Sequence, residues 1–483
     1  MYSLSSPHQL APASPTQSRA KKNIVVHEQP KFDLESYLAN YKGRTRLERL
    51  LLIGVCSSVL GVEALKLAVR EAKQGKDIKR YLEAQNHLET IGPIESEAQR
   101  DLAWMDKTER QNQAESARLE AELKGYKNNL IKESIRMGNE DLGKHYQAIG
   151  DLAKAADAYG RMRQDVSMNK HIIDVSRHLI EVGIEQKNWI AVSSNVQKIK
   201  SVMGVSDEDK VLQPYLCAAE GLARMDDGDY HTAALQFLSA DAGIGLSCNT
   251  MISPNDIAIY GGLCALATMD RNELQSKVLE NSNFRTYLEL EPHIRRAISF
   301  FVNSRYSACL TVLEAYRTDY WLDIHLQRHV DDIYQLVRSK SIVQYFIPFS
   351  CVTLDSLNQA FAAPGKTIDK ELAAMITRKE LDARIDTQNR LLTSVPSAPR
   401  SALQTSTLKT ANEYEREARR RIQHMNINGA DLEIKATKRN GMGSGGLSSG
   451  GMDDFYDGGF GGGGGGGGRE LRSSGRDRDR GLA

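Results

Sequence analysis

The chain has 483 residues, 41% of them hydrophobic, and at about 150 residues per domain it has room for roughly three domains. Lys and Arg total 63 against 62 for Asp and Glu, so the net charge of +1 provides no broad positive field for nucleic acid. No uncharged stretch, including 50–62 with its 13 residues, holds the roughly 20 apolar residues that crossing a bilayer takes. We therefore expect a soluble protein that is not a dedicated nucleic-acid binder.

The N-terminal arm, residues 1–29, is rich in Ser, Pro, Gln and Ala and has few large apolar side chains. Such a segment buries too little apolar surface to offset the entropy of ordering, so we expect it to be disordered. It also lacks the apolar core of a secretory signal. The six cysteines, at positions 56, 217, 248, 264, 309 and 351, form no CxxC pair. These features favour a reduced intracellular compartment.

Residues 30–250 predict an N-terminal domain of helical repeats. The segments 63–74 and 108–123 are rich in strong helix formers. Gly150, Lys187 and Gly228, each followed by Asp or Asn, end one helical pattern and open another, 37 and 41 residues apart. A period of this length is typical of stacked helix pairs, and no long alternating run predicts a sheet among them.

Two of these repeats carry small and aromatic residues at the offsets of a tetratricopeptide unit. They are Leu142, Gly143, Tyr146, Ala155 and Tyr159 in one repeat, and Gly221, Ala233, Phe237 and Ala240 in the other. We predict that the small residues let helix axes approach while the rings fill the adjacent wedge. We also predict left-handed C-caps at Gly150 and Gly228 and N-caps at Asp151 and Asp229. Solenoids of this kind present extended surfaces to other proteins.

Residues 251–395 predict the last repeats followed, from about residue 340, by a winged helix. The order is a helix ending near Phe349, a short strand at 351–353, a helix from Leu354, a third helix at 369–377, and a hairpin formed by 381–386 and 389–392. Winged helices often place their third helix in the DNA major groove, but here that helix mixes acids and bases. We favour β-pairing of the hairpin edge with another subunit, with Val352, Leu381 and Ile385 fixing that edge.

A C-terminal helix at 403–428 carries one apolar stripe, while most of its charged side chains lie off it. The stripe consists of Leu408, Ala411, Tyr414, Ala418, Ile422 and Met425. By itself the pattern leaves open whether the stripe folds back on its own domain or joins helices of partner proteins. Residues 429–483 hold 19 of the 38 glycines, and we expect a flexible, disordered tail there.

Histidine and glycine patterns give little support to an enzymatic site. The eleven histidines include no H-x-H pair of the kind found in zinc isopeptidases. His325 and His329 are predicted to share one face of a helix, but no Glu follows His325 as an H-E-x-x-H site requires. The segment 365–367 resembles the end of a phosphate loop, yet Ala360 stands where that motif needs its first glycine. We interpret this segment as a connection between winged-helix helices.

The cysteines complete the case against catalysis. Cys217, Cys264 and Cys309 lie in apolar helical surroundings and are predicted to be small core side chains. We therefore predict no enzymatic activity, and we assign no catalytic, cofactor-binding or metal-binding residue.

A helical-repeat solenoid that runs into a winged helix is the arrangement of PCI domains, which occur in the proteasome lid, the COP9 signalosome and a translation initiation factor complex. The segments 37–53, 131–146, 253–271 and 288–292 resemble the family of first subunits of the COP9 signalosome. With 341–346 and 381–386, the likeness extends over about residues 32–428. The resemblance implies a mainly α fold: a TPR-like solenoid, a winged-helix (PCI) domain and a C-terminal helix. It gives no guidance on the glycine-rich tail.

The resemblance also implies a function without catalysis. Members of this family are scaffold subunits of a complex that removes a ubiquitin-like modifier from cullins and so regulates cullin-RING ubiquitin ligases. A different subunit, a metalloprotease, performs the hydrolysis. The winged helix is expected to join a ring of neighbouring PCI domains, and the last helix a shared helical bundle, which favours the partner-binding interpretation of its stripe. We expect no cofactor, no membrane partner, and residence in the cytoplasm and nucleus.

Two alternatives stay open. The chain could be a PCI scaffold subunit of the proteasome lid or of the translation initiation complex. Less favoured is a nucleic-acid-binding winged-helix regulator, which would use the third helix and the arginine-rich end of the chain.

Overall fold

The computed structural model describes residues 24–92, 97, 99–166, 168–203, 207–241, 249–361, 367–395 and 399–430. The chain divides into two units, which separate between residues 396 and 397. Within the described part, the elements are almost all helical, as predicted, and no helix combines the length and the apolar character needed to span a membrane.

Four helices open the first unit. They are α1 (Leu34–Ala39), α2 (Gly43–Cys56), α3 (Gly61–Gln74) and α4 (Ile78–Ile91). Asp33 and Asp77 cap α1 and α4, because their carboxylates accept hydrogen bonds from the backbone N–H groups of Ser36 and Arg80. The apolar faces of these helices form one core, which also takes in Leu322 from far along the chain.

The prediction of a disordered arm over residues 1–29 is wrong at the C-terminal end of that segment. Val26 is buried and forms a parallel bridge with Ser57, and its N–H donates to the Cys56 carbonyl at 2.7 Å. The reason is the short apolar run 24–26 at the end of an otherwise polar segment, since Val26 is buried and Ile24 partly buried against the first helices. Residues 1–23 lie outside the described residues.

The helical repeats follow. Their helices are α5 (Leu102–Asn128), α6 (Lys132–Ile149), α7 (Leu152–Met162), α8 (Asn169–Gln186), α9 (Trp189–Val202), α10 (Asp207–Asp226) and α11 (Tyr230–Leu238). Successive helices pack against each other, with α6 on α7, α8 on α9, and α10 on α11. This confirms the prediction of stacked helix pairs.

The predicted breaks between paired helices are confirmed. Gly150, Lys187 and Gly228 all adopt the left-handed conformation, with φ of 87°, 59° and 81°. Each is followed by an N-cap, Asp151, Asn188 or Asp229, whose side chain accepts a hydrogen bond from a backbone N–H three residues on. The first helix of a pair therefore stops and the second starts within two residues.

The close helix approach predicted at the small residues is also confirmed. A Cβ added at Gly143 would lie 2.5 Å from the Tyr159 ring, and one at Gly221 would lie 2.7 Å from the Phe237 ring. Both rings are fully buried. In each pair, the aromatic ring of one helix therefore fills the space that a side chain larger than that of glycine would occupy on the other.

A second helical series leads to the winged helix. It comprises α12 (Pro254–Thr268), α13 (Arg271–Glu273), a π-helical segment (Leu274–Leu279), α14 (Ser282–Leu290), α15 (Pro292–Val302), α16 (Tyr306–Glu314), α17 (Arg317–Trp321) and α18 (Val330–Phe346). Helix α12 is buried along most of its length and contacts α11, α14, α15 and α18. One hydrophobic core continues from Ile180 through this series to Leu392 in the winged helix.

The winged helix has the predicted order. Strand β1 (Cys351–Thr353) precedes α19 (Leu354–Phe361) and α20 (Asp369–Thr377), and strands β2 (Ala383–Asp386) and β3 (Leu391–Ser394) form the hairpin. The second unit contains α21 (Pro399–Gly429), which extends beyond both ends of the predicted helix at 403–428. Residues 431–483, where the flexible tail is predicted, lie outside the described residues.

Candidate assembly surfaces

The winged-helix sheet has two edges open to pairing. Its three strands run antiparallel in the order β1-β3-β2, so β3 is central and both β1 and β2 are edge strands. Val352 and Ile385 both lie opposite Leu392 in the register. An edge strand carries unpaired N–H and C=O groups that another strand can use.

The three residues predicted to fix the hairpin edge lie wholly or partly inside the domain. Val352 and Leu381 are buried in the core, Leu381 just before β2, and Ile385 is half-buried against the same core. The side chains of Val352 and Leu381 are therefore not accessible to a partner, and any contact they support would use the backbone of the strands. Their role in partner binding stays a prediction.

The turn between β2 and β3 is held by its first residue. Asp386 Oδ1 accepts hydrogen bonds from the backbone N–H groups of Gln388 and Asn389 at 3.0 and 3.2 Å, and Oδ2 accepts one from the Asn389 amide at 2.8 Å. These hydrogen bonds, that of the Asn389 side chain foremost, hold the pKa of Asp386 below its ordinary value. At the other end of the turn, the Arg390 carbonyl accepts from the Leu354 N–H at 2.9 Å and the Arg390 guanidinium pairs with Asp355 at 3.0 Å, so the turn is held both by its own side chain and by the start of α19.

The third helix of the winged helix, α20, presents little that could read DNA. Leu372 and Met375 are buried, and the Glu371 carboxylate accepts a hydrogen bond from Arg338 Nε at 2.7 Å. The exposed positions of the helix are Lys370, Ala373, Ala374 and Thr377. The outer face of α20 therefore carries mainly small side chains and one positive charge. DNA-reading helices usually offer more charged and polar side chains to phosphates and base edges.

The predicted stripe of α21 is exposed over most of its length. Ile422 is 57% exposed, and Leu408, Ala411, Tyr414 and Met425 are exposed as well, while Ala418 is half-buried. Arg419 pairs with Glu415 at 2.6 Å and Arg421 with Glu417 at 2.5 Å, each along the helix surface. The charged side chains thus stabilise the helix locally, while the stripe leaves large apolar side chains in contact with water.

A buried polar cluster, which sequence reasoning missed, ties the first helices to the middle of the chain. Arg49 is 0% exposed, and its guanidinium donates to Asp256 at 2.9 Å and to Asp323 at 2.6 Å. Tyr41 donates to Asp256 at 2.7 Å, and Tyr260 donates to Asp323 at 2.8 Å. An arginine buried at 0% exposure needs such a set of carboxylate partners.

Charge compensation differs between the two carboxylates of this cluster. Burial raises the pKa of Asp256 to about 6, against the opposing effect of Arg49. For Asp323, burial acts in the same direction, but Arg49 and the neighbouring hydrogen-bond donors outweigh it and lower the pKa. Four residues of the cluster and Tyr37, which also accepts from Arg49, lie in the segments 37–53 and 253–271 that carry the family resemblance. That family resemblance is the sequence signal that could have pointed to this buried cluster.

The prediction that His325 and His329 share a helix face is wrong. Both lie in the turns between α17 and α18. His325 faces the rings of Trp189 and Tyr260, and burial lowers its pKa to about 3, whereas His329 Nδ1 shares a hydrogen bond with the Tyr230 hydroxyl at 3.1 Å. Within the described ranges, no group of three or more His, Cys, Asp and Glu side chains is placed to hold a metal ion.

The cysteines predicted to be core residues are buried. Cys217, Cys264 and Cys309 all lie in the continuous hydrophobic core, and burial raises the pKa of the Cys264 and Cys309 thiols to about 12. A thiol with so high a pKa is a poor nucleophile at neutral pH. Residues 365 and 366 of the glycine-lysine-threonine segment, and Cys248, lie outside the described residues.

Two family models match the chain. Residues 101–277 match the model described as 26S proteasome subunit RPN7, and residues 313–394 match the PCI domain. The second match spans the end of the helical series and the whole winged helix. The first covers the repeats from α5 through α12.

Comparison with characterised proteins separates the candidate families. The chain is 49% identical over 423 residues to COP9 signalosome complex subunit 1 of Emericella nidulans, covering 85% of each chain. It is 49% identical over 401 residues to the protein of the same name from Neurospora crassa, covering 83% of this chain and 91% of that one. By contrast, it is 24% identical over 289 residues to 26S proteasome non-ATPase regulatory subunit 6 of Caenorhabditis elegans, covering 58% and 69%. Because the first two relatives are each 49% identical to this chain over more than four fifths of its length, the chain belongs to the family of COP9 signalosome complex subunit 1.

Proposed function

We propose that the chain is a non-catalytic scaffold subunit of the COP9 signalosome. In this role it supports removal of a ubiquitin-like modifier from cullins by a metalloprotease subunit, and acts on cullin-RING ubiquitin ligases through the complex. Family membership and the two matched domains support the assignment. The engagement of His325 and His329 by aromatic neighbours, and the burial of the core thiols, support the absence of catalysis by this chain.

The exposed stripe of α21 is the observation that carries the assembly proposal. A helix that keeps Leu, Tyr, Ile and Met side chains in water is stabilised when a partner covers them, because each fully buried Leu or Ile contributes roughly 1.5–3 kcal/mol. We assign the stripe residues Leu408, Ala411, Tyr414, Ala418, Ile422 and Met425 to contacts with helices of other signalosome subunits. The charged side chains on the remaining faces would stay solvated in such a bundle.

The experiment that tests this assignment introduces a charge into the stripe. Ile422→Asp should release the chain from its complex without unfolding the solenoid, because a carboxylate cannot be buried between apolar helices without a partner. The matched control is Gln423→Asp, which adds the same charge to the same turn but off the stripe. Affinity purification with quantitative mass spectrometry measures both. If the Ile422→Asp chain still co-purifies with every partner, the stripe is not the docking surface.

The hairpin edge is the second proposed contact. Ile385→Pro removes a backbone N–H in the edge strand β2 and should reduce assembly, since β-pairing with a neighbour depends on the strand backbone. Thr387→Pro, in the exposed turn beside it, is the control. Size-exclusion chromatography of reconstituted subunits measures the effect, and circular dichroism establishes that both variants are folded. Unchanged assembly of Ile385→Pro would reject the contact.

The same purification decides between the remaining functions. Signalosome subunits and cullin deneddylation activity in the eluate support the proposal, and we propose the cytoplasm and nucleus as the sites of action. Recovery of proteasome-lid or initiation-factor subunits would replace it. A steep dependence of DNA or RNA affinity on salt would instead favour the winged-helix regulator.

A further inference from the structure

A cluster of exposed apolar side chains lies where α5 turns into α6, at residues 124–132, which we call the α5–α6 tip. Leu130 is 82% exposed, Ile131 52% and Tyr126 37%. The Tyr126 ring lies beside α6, because a Cβ at Gly138 would meet it at 3.1 Å. The tip belongs neither to the winged-helix edge nor to α21, so the proposed assembly contacts leave it unexplained.

The backbone at Leu130 adopts a conformation that a leucine seldom takes. Leu130 follows the C-cap of α5 with φ of 54°, and its N–H donates to the Lys127 carbonyl at 3.2 Å. This left-handed position favours Gly or Asn, and a residue with a Cβ is strained there by roughly 1 kcal/mol. Asn128 and Asn129 stand immediately before it. A leucine at the strained position, with its side chain in water, stabilises neither the turn nor the core.

The charged residues within the α5–α6 tip are all lysines. Lys124, Lys127 and Lys132 flank the apolar side chains, and no ion pair joins any of them to another residue of the described ranges. The nearest carboxylates are already engaged by arginines. Glu122 pairs with Arg118 at 2.9 Å and Glu133 with Arg136 at 2.6 Å. The surface is therefore apolar at its centre and positive at its rim.

We propose that the α5–α6 tip is a docking surface for a protein segment that presents apolar side chains bordered by Asp or Glu. Burying Leu130 and Ile131 supplies the affinity, and the three lysines select an acidic partner. The inference rests on the proposed function only in that the chain acts through protein partners. Under that function the chain acts within a complex of proteins, so a protein segment is favoured over an anionic lipid surface.

A photocrosslinker at position 130 of the full chain tests the proposal within the native complex and its bound partners. We expect an adduct with one acidic, apolar segment of a partner protein, identified by mass spectrometry, and at least a fivefold lower yield when Lys124, Lys127 and Lys132 are changed to Glu. The same crosslinker at Ile190, an isolated exposed residue on α9, is the control. An adduct yield at 130 no higher than at 190, or adducts only with basic segments, would overturn the proposal.

Leu130→Gly separates a binding role from a structural one. Gly relieves the left-handed backbone, so the variant should unfold at the same or a higher denaturant concentration, yet bind the crosslinked segment at least tenfold more weakly. Ser304→Gly, at a left-handed position after α15 with φ of 61°, gains the same relief and should bind normally. Binding unchanged in Leu130→Gly would overturn the proposal. If Ile422→Asp still loses the complex, the proposed function stands regardless.

A lipid target is the remaining alternative to a protein segment. Co-sedimentation of the purified chain with vesicles of phosphatidylserine and phosphatidylcholine tests it. We expect no binding above that to phosphatidylcholine alone. Binding to the anionic vesicles that Leu130→Gly and the three lysine changes abolish would assign the tip to a lipid surface and overturn the protein-segment proposal.

Discussion

Arg49 connects helices that are more than 200 residues apart in the chain. Its guanidinium bridges Asp256 on α12 and Asp323 after α17, and it lies 4.0 Å from the centre of the Tyr41 ring. A buried ion pair of this kind is weak evidence of net stability, but removing one partner leaves the others buried and unpaired. The cluster is therefore sensitive to single substitutions.

We predict that Arg49→Met lowers the free energy of unfolding by about 3–5 kcal/mol, because it strands two buried carboxylates. Arg46→Met is the control on the same helix. Arg46 is partly exposed and pairs with Glu71 across 3.6 Å, so its loss should change stability by less than about 1 kcal/mol. Denaturant unfolding of both variants measures the difference. Equal effects of the two changes would show that the cluster is not a structural tie.

Glu185 is a half-buried acid, placed where α8 meets the first helices. Its carboxylate accepts a hydrogen bond from the Gln147 amide at 2.7 Å and lies 3.8 Å from Arg44 Nε. Burial nevertheless raises its pKa to about 7. The folded chain therefore holds a proton at Glu185 at pH values where the unfolded chain, with a carboxyl pKa of about 4.5, has released it.

The raised pKa of Glu185 determines the direction in which its contribution to stability changes with pH. Between about pH 4.5 and 7 the folded state binds more protons at Glu185, so this residue's contribution to stability falls as the pH rises through that window. We predict that the free energy of unfolding of Glu185→Gln, relative to the unmodified chain, increases by roughly 2–3 kcal/mol from pH 5 to pH 8. Urea unfolding of both chains at the two values measures it. A difference independent of pH would show that Glu185 is ionised in the folded state.

At the scale of elements, close packing within the helix pairs depends on glycines, which leave room for the rings of the paired helix. Gly143 and Gly221 each leave the space that an aromatic ring of the paired helix occupies, and left-handed residues at 150, 187 and 228 let the next helix begin at once. Helix axes can then approach closely enough for the rings to be buried. The geometry of the pair is thus determined by a few small residues, while the polar helix surfaces tolerate change.

We predict that Gly143→Ala destabilises the chain by about 1–3 kcal/mol, because the new methyl group would lie 2.5 Å from the rigid Tyr159 ring. Gly160→Ala is the matched control in the neighbouring helix α7. No other group lies within 4 Å of a Cβ at Gly160, so it should stabilise by about 0.5–1 kcal/mol. Thermal unfolding of both variants measures the shifts. A stabilised Gly143→Ala chain would contradict the packing argument.

At the scale of the whole first unit, the N-terminal helices pack against segments from the middle of the chain. Besides the Arg49 cluster, the Lys42 N–H donates to the Asn249 carbonyl at 3.1 Å, and Leu322 completes the core of the first helices. Lys31 N–H donates to Asp319 at 2.9 Å. The first helices are therefore packed on the segments around α12 and α17, although the helical repeats separate them in sequence.

Much of this architecture could be predicted from the residues. The repeat breaks, the small-residue contacts and the order of the winged helix depend on local signals such as capping side chains, helical periodicity and hairpin alternation. These act within a few residues of each other and can be read along the chain. The misplaced helix around His325 and His329 shows the limit, because the Asp323 carboxylate accepts from the N–H groups of His325 and Leu326 there and favours turns.

What the sequence by itself determined is the succession of helix pairs, the winged helix and the apolar stripe of α21, since each is a matter of local pattern. Only the tertiary structure decided that Arg49 is buried between two aspartates, that Val352 and Leu381 are buried in the core, and that Leu130 is presented to water at a strained position. The physical reason is that burial and charge pairing depend on which distant segments meet. Local periodicity in the sequence carries no information about those long-range contacts.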